Sequence, residues 1–317
     1  MPLVSMNGLL AEAQCGHYAV CYCEAWSLES FQAVVEAAEE LQSPVITGFN
    51  GGFLMHPGRA KPENLAYCAA LRAALCSATV PVAFLLNETD SFEQIEDGVR
   101  LGFNSVMVEN EHLGWDEYRQ LVKQVVKVAH SQDVAVEAQI GRLANSADHS
   151  AAEPADPATA RAFVEETEID ALAVAVGNVH ILTTGTAPID LGALERIHDQ
   201  VKVPLVLHGG TGIPLEVARS CIQLGVAKVN FGTGLKQAYL AAVREKLAAY
   251  REPMSPHPFL GMGGREDILV AGREAVKLKV KQLLHGFSSA GKAEMVATLA
   301  SASGRAASDR IRFMSRK

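Results

Sequence analysis

The sequence predicts a (β/α)8 TIM barrel with extra C-terminal helices. Three observations point to it. Short β-rich runs and amphipathic helices alternate eight times, over about 250 residues, the size of one such barrel. The strand runs are continuously apolar, as expected when both faces are buried. No Gly-x-Gly-x-x-Gly loop follows the first run, which disfavours a doubly wound open sheet.

The elements follow in order. Tyr18–Cys23 reads as the first strand, and a helix runs from the N-cap Ser27 to Gln42. Pro44–Phe49 is the second strand, with a helix over Leu65–Cys76. Val80–Leu86 is the third, with a helix from Ser91 to Leu101. Ser105–Val108 is the fourth, with a helix over Trp115–Ser131. Val134–Ile140 is the fifth, and the polar stretch from Asn145 to Pro157 reads as a long loop. Asp156-Pro157 opens the next helix, with Pro at its first position. Ala171–Val176, Val203–His208 and Lys228–Phe231 complete the strands. Helices over Leu191–Gln200, Pro214–Leu224 and Leu235–Tyr250 follow them, and Glu274–Leu284 adds one more. Residues 1–293 are expected to form one domain. Residues 294–317 form an extension whose last stretch, Ser301–Lys317, carries five basic residues and one acidic.

Composition narrows the function. The 317 residues hold 28 Lys and Arg against 36 Asp and Glu, a net charge of −8. An acidic chain is a poor partner for nucleic acid. No apolar run reaches about 18 residues, so no membrane span is expected. Met1-Pro-Leu-Val-Ser lacks the regions of a signal peptide, which points to the cytoplasm. The six cysteines form no Cys-x-x-Cys pair and are expected to be reduced, with Cys21 and Cys23 on one face of their strand.

Active sites of this fold sit at the C-terminal strand ends. Asn87 and Glu88 fall there after strand three, and Glu109, Asn110, Glu111 and His112 after strand four. Glu137, Gln139 and Arg142 lie in and after strand five. His180 follows strand six and His208 ends strand seven. Two histidines on adjacent strand ends, facing a carboxylate across the barrel, make a set suited to zinc or a similar ion. Gly209-Gly-Thr-Gly212 and Asn230-Phe-Gly-Thr233 offer backbone N–H groups and hydroxyls after strands seven and eight, the usual phosphate position of a barrel. Gly209, Thr211, Asn230, Gly232 and Thr233 are the candidates.

These motifs resemble the metal-dependent class II ketose-bisphosphate aldolases, the fructose- and tagatose-bisphosphate branch. The resemblance runs from residue 1 to about 293 and is densest in Asp170–His180, Val203–Pro214 and Lys228–Asn230. It implies a divalent metal, most simply zinc, and a small phosphorylated substrate. It also implies retro-aldol cleavage through an enediolate and a homo-oligomer, dimer or tetramer. His180 and His208 match two of the three zinc ligands of the family.

The chemistry-bearing residues depart from that pattern. Leu-Asp-His-Gly after strand three reads Leu86-Asn87-Glu88-Thr89 here. The Asp that shuttles a proton has become Asn87, whose amide has no useful proton affinity. The third metal-ligand His has become Glu88. As a ligand, Glu88 completes a set of two His and one Glu; as a free base, it leaves only two ligands. A Glu in strand five is now Gln139, and an Asp after strand four is now Glu109. The acidic Gly-Gly-Val-Glu-Asp loop reads Ala144–Asp148. Asn87, Glu88 and Glu109 are the catalytic candidates, and His180, His208 and Glu88 the metal candidates. A divergent lyase is expected; an inactive sugar-phosphate-binding paralogue and an isomerase or epimerase are the alternatives.

Overall fold

A computed structural model of the chain describes residues 3–109, 113–145 and 152–294. Eight parallel strands close into a barrel, as the sequence predicts. They are β1 (Val20–Glu24), β2 (Val45–Asn50), β3 (Val82–Thr89), β4 (Ser105–Val108), β5 (Ala135–Ile140), β6 (Ala171–Val174), β7 (Leu205–Leu207) and β8 (Val226–Phe231). Each pairs with the next, and β8 returns to β1 with Tyr22 opposite Asn230. An additional two-residue ladder pairs Ala144–Asn145 with Val179–His180 beyond the barrel rim.

Strand parity divides the side chains into two layers. One parity of β1 to β7, with Phe31, Val34, Val122 and Leu194 from the helices, builds the layer between barrel and helices. Cys21 and Cys23 lie here, buried, and burial pushes both thiols up. They are core thiols. The other parity fills the barrel with Tyr22, Ile46, Ala83, Leu85, Met107, Ala135, Ala171, Ala173 and Val206. Four of these nine are alanines, too small to fill the interior alone.

The shortfall is met from below. A helix over Met6–Cys15, absent from the sequence reading, presents Met6, Leu9 and Leu10 to the barrel floor, and none of the three is exposed. Val4 N–H anchors the approach by donating to Val82 O at 2.9 Å.

Several helix starts follow the expected chemistry. Ser27 accepts from Ser30 N–H and Asp156 from Thr159 N–H, with Pro157 in the first turn. Other boundaries differ. The helix expected over 65–76 is two pieces, Leu65–Ala70 and Arg72–Leu75. The C-terminal helix is longer than expected, Ile268–Gly286, because Asp267 caps it by accepting from Leu269 N–H at 2.9 Å. It packs against the helices Leu28–Glu40 and Thr233–Leu247. Its Lys277 and Lys281 pair with Glu40. The extension beyond Glu294 lies outside the described residues, as do Asn110, Glu111, His112, Ala147 and Asp148.

Truncating the floor tests this arrangement. Leu10→Ala should cost about 2–5 kcal/mol, the range for a buried leucine whose cavity cannot collapse. Urea denaturation measures it; a loss under about 1 kcal/mol would mean that the helix is not part of the core.

Candidate active site

The upper barrel layer is polar because the inward parity of five strands ends in polar residues. Glu24 closes β1, Asn50 closes β2, Asn87 lies near the end of β3, Glu137 lies in β5, and Lys228 and Asn230 lie in β8. All are buried. Asn50 and Asn87 stand opposite each other in register.

Glu88 reaches the same layer by a backbone irregularity. Parity alone would turn it outward, next to inward Asn87. The ladder with β4 shifts register between Leu86 and Thr89, and Glu88 has φ +51°. That left-handed bulge re-aims its side chain. Its carboxylate accepts from Asn87 Nδ2 at 2.8 Å and from Asn50 Nδ2 at 2.5 Å.

A line of charge crosses the barrel from there. Glu88 Oε1 is 3.4 Å from His208 Nδ1, and Glu88 Oε2 is 3.7 Å from His180 Nε2. His208 Nε2 meets Glu137 Oε1 at 2.9 Å. Lys228 Nζ lies 2.7 Å from Glu137 Oε2, a charge contact whose angle falls short of a hydrogen bond. The ammonium donates instead to Asn230 Oδ1 at 2.6 Å.

Burial disfavours each of these charges, and the partners decide the outcome. For Glu88, His180 and then His208 overcome desolvation and hold the carboxyl well below the usual range. For Glu137, Lys228 and His208 do the same. Burial pulls His208 down, but its bonds to Glu137 and Glu88 prevail and raise it to about 9. Lys228 stays lowered, because desolvation exceeds what Glu137 returns.

The donor set suits a divalent ion. With the His208 Nε2–H donated to Glu137, Nδ1 is left facing Glu88, the carboxylate-backed imidazole common at metal sites. His180 Nε2 and the Glu88 carboxylate complete two nitrogens and an oxygen donor. As placed, Glu88 packs against both rings. Among the described residues, no three His, Cys, Asp or Glu groups surround a ready-made ion centre.

The structure thus brings Asn87, Glu88, His180 and His208 together, and it sets Glu109 apart. Asn87, Glu88 and His180 line one cleft of about 220 Å³. Glu109 lies in a narrow cavity beside Gln139 and Arg142, which touches His180 and His208 from another side. Ile181, a β-branched residue next to His180, has φ +52°, a strained conformation of the kind that gathers at functional sites.

Gly209, Thr211, Asn230, Gly232 and Thr233 line the other wall of the same cleft. Gly209 has φ +67°, and a Cβ there would meet Val179 O at 2.2 Å. Thr211 Oγ1 accepts from Gly234 N–H at 3.1 Å and so ties the two loops together. The helix Thr233–Leu247 starts at Gly232 without a side-chain cap. Asn230 Nδ2 and Asn87 Oδ1 are buried without a protein partner.

Three functional neighbours were not among the site residues the sequence predicts. Asn50 orients Glu88. Glu24 pairs with Lys236 at 2.6 Å on the cleft wall. Lys228 neutralises Glu137. Parity could have found two of them: Lys228 is two residues before Asn230, and Glu24 two after Tyr22.

Polar and ionisable groups gathered at the C-terminal strand ends are the layout of (β/α)8-barrel enzymes. The chain belongs to the class II fructose-bisphosphate aldolase family, whose model matches residues 4–292. It is 38% identical over 296 residues to a fructose-bisphosphate aldolase of Geobacillus stearothermophilus, covering 92% of this chain and 99% of that one. The crystal structure of the YdjI aldolase from Escherichia coli K12 has a TM-score of 0.76 at 31% identity, covering 92% of this chain and 99% of that one. A Campylobacter jejuni fructose-bisphosphate aldolase shares the fold, with a TM-score of 0.72 at 19% identity over 92% of this chain and 97% of that one. No helix among the described residues is long and apolar enough to cross a membrane.

The buried charge line makes a stability prediction. Lys228→Met should cost about 3–5 kcal/mol by leaving Glu137 short of a cation. Adding Glu137→Gln should recover part of that loss in urea denaturation. Strictly additive losses would show that the two charges are not coupled.

Proposed function

We propose that this chain is a divergent metal-dependent lyase that cleaves a phosphorylated ketose by a retro-aldol reaction. One observation carries the reading. Glu88, His180 and the Gly209–Thr211 and Gly232–Thr233 turns line a single cleft of about 220 Å³, with buried His208 3.4 Å from Glu88.

In this reading His180, His208 and Glu88 hold the metal. A divalent ion, zinc by family resemblance, supplies Lewis acidity toward the substrate's ketone when bound. Gly209, Thr211, Asn230, Gly232 and Thr233 hold the phosphate. Gly234 N–H is already given to Thr211 Oγ1, so the Thr211 hydroxyl proton, the unpartnered Asn230 Nδ2 and the first-turn N–H of Thr233 are donors open to it.

Cleavage requires a proton to leave the hydroxyl beside the breaking C–C bond, while the electron pair stays on the ketone fragment. Asn87 cannot take that proton. Its unpartnered Oδ1 accepts a hydrogen bond and orients the hydroxyl. With Glu88 counted among the metal ligands, the base in this reading is Glu109, which lines the cavity on the other side of His180 and His208. The missing carboxylate also leaves room for a second reading, isomer or epimer interconversion, which needs a base at the C–H beside the ketone rather than at that hydroxyl. A small phosphorylated substrate, a cytoplasmic setting and a dimeric or tetrameric assembly accompany either reading.

Metal analysis and a retro-aldol screen test the proposal. The purified protein should hold about one divalent ion per chain and release a triose phosphate from at least one phosphorylated ketose. His180→Ala/His208→Ala should lose the ion and the activity. Stoichiometric metal in that variant would overturn the ligand assignment. Isomerisation without cleavage would select the second reading, and binding without turnover a non-catalytic paralogue.

The altered motif makes its own prediction. A lost general base costs about 100- to 10,000-fold, so wild-type cleavage of fructose or tagatose bisphosphate should be slow by that order. Asn87→Asp with Glu88→His should raise it. Ordinary aldolase rates in the wild type would show that another group already serves as the base.

A further inference from the structure

A second cavity of about 380 Å³ opens beside the cleft. The two share Glu24, Asn50, Phe53 and Lys236, so anything extending from the metal and phosphate groups enters it. Its walls carry Trp26, Phe49, Phe53 and Tyr67, with Leu28, Leu54 and Leu71 between them. The volume suits part of a small ligand.

Its charges are already matched. The described walls hold two cations, Arg59 and Lys236, and two carboxylates, Glu24 and Glu63. Arg59 Nη2 lies 2.6 Å from Glu63 Oε2, and Lys236 Nζ 2.6 Å from Glu24 Oε1. Lys236 is further held over the Phe53 ring at 4.4 Å and the Trp26 ring at 5.8 Å. A phosphate entering here would have to break one of these pairs and leave a carboxylate facing it. Glu24 also blocks an easy rearrangement. Its Oε2 lies where a Cβ on Gly232 would fall, 2.2 Å away, so it is wedged against the turn that starts the helix Thr233–Leu247.

Aromatic faces beside carboxylates suit a neutral polyol. Ring faces cover its C–H groups, and carboxylate oxygens accept from its hydroxyls. We infer that the cavity lined by Trp26, Phe53, Glu24 and Glu63 receives the uncharged hydroxylated tail of a ketose carrying one phosphate, not the second phosphate of a bisphosphate. This inference rests on the proposed sugar-phosphate reading and names its substrate class.

Calorimetry and cleavage assays on the purified metal-loaded protein compare D-fructose 1-phosphate with D-fructose 1,6-bisphosphate, and the two tagatose counterparts. The monophosphates should bind at least about 10-fold more tightly, a difference of about 1.4 kcal/mol. Trp26→Ala/Phe53→Ala should bring the ratio within about 2-fold. Glu63→Gln, which frees Arg59 from its ion pair and removes one carboxylate acceptor for the tail, should improve bisphosphate binding several-fold and weaken monophosphate binding, so the ratio narrows from both sides. A bisphosphate bound equally well or better by the wild type overturns the inference and leaves the aldolase reading standing. The expected preference without cleavage supports the tail assignment and removes the aldolase reading. Failure to bind any of the four overturns both.

Discussion

A carboxylate that cannot reach solvent organises this barrel. Glu137 sits at the centre with no exposure, and an unpaired charge there would cost several kcal/mol. Lys228 meets one oxygen and His208 the other. The second contact fixes the ring of His208 and turns Nδ1 toward Glu88. Glu88 in turn is held by the Asn50 and Asn87 amides. The geometry of the rim is therefore tied to one buried charge, linked to Glu88 through His208.

The same constraint explains the barrel floor. A lysine, a glutamate and a histidine need room in the interior, and Ala83, Ala135, Ala171 and Ala173 leave it. Small residues empty the lower half as well as the upper. Met6, Leu9 and Leu10 fill the lower half from outside the barrel. Polar line and apolar plug are two ways of occupying a wall built from small side chains, at close to interior packing density.

The barrel itself was legible because it is written locally. Eight apolar runs, the Ser27 and Asp156 caps and the Gly209–Gly212 turn each signal within a few residues. So were His180, His208 and the glycine turns, whose strand-end positions follow from topology alone. What stayed hidden depends on distance or on backbone detail. Nothing near Asn50 announces that it will meet Glu88, 38 residues away. The Glu24–Lys236 pair spans 212 residues. The bulge that turns Glu88 inward is a conformation, φ +51°, and no residue type in Leu86–Thr89 demands it.

That bulge gives the altered motif a physical meaning. The family's Asp-His pair has one carboxylate, at the first position. Asn87-Glu88 also has one carboxylate, at the second. The net charge of the pair is the same when the histidine is neutral. The location of the charge does change. It has moved from a side chain able to accept a proton from a hydroxyl to one locked between two imidazoles and two amides. Its proton affinity is depressed by those partners, so it is a weak base where it stands. Under the proposed retro-aldol reading, the step this relocation weakens is proton removal from the hydroxyl beside the breaking bond. Each member of this buried line depends on the next, so removing the Glu88 carboxylate would leave His180 and His208 short of a charge partner.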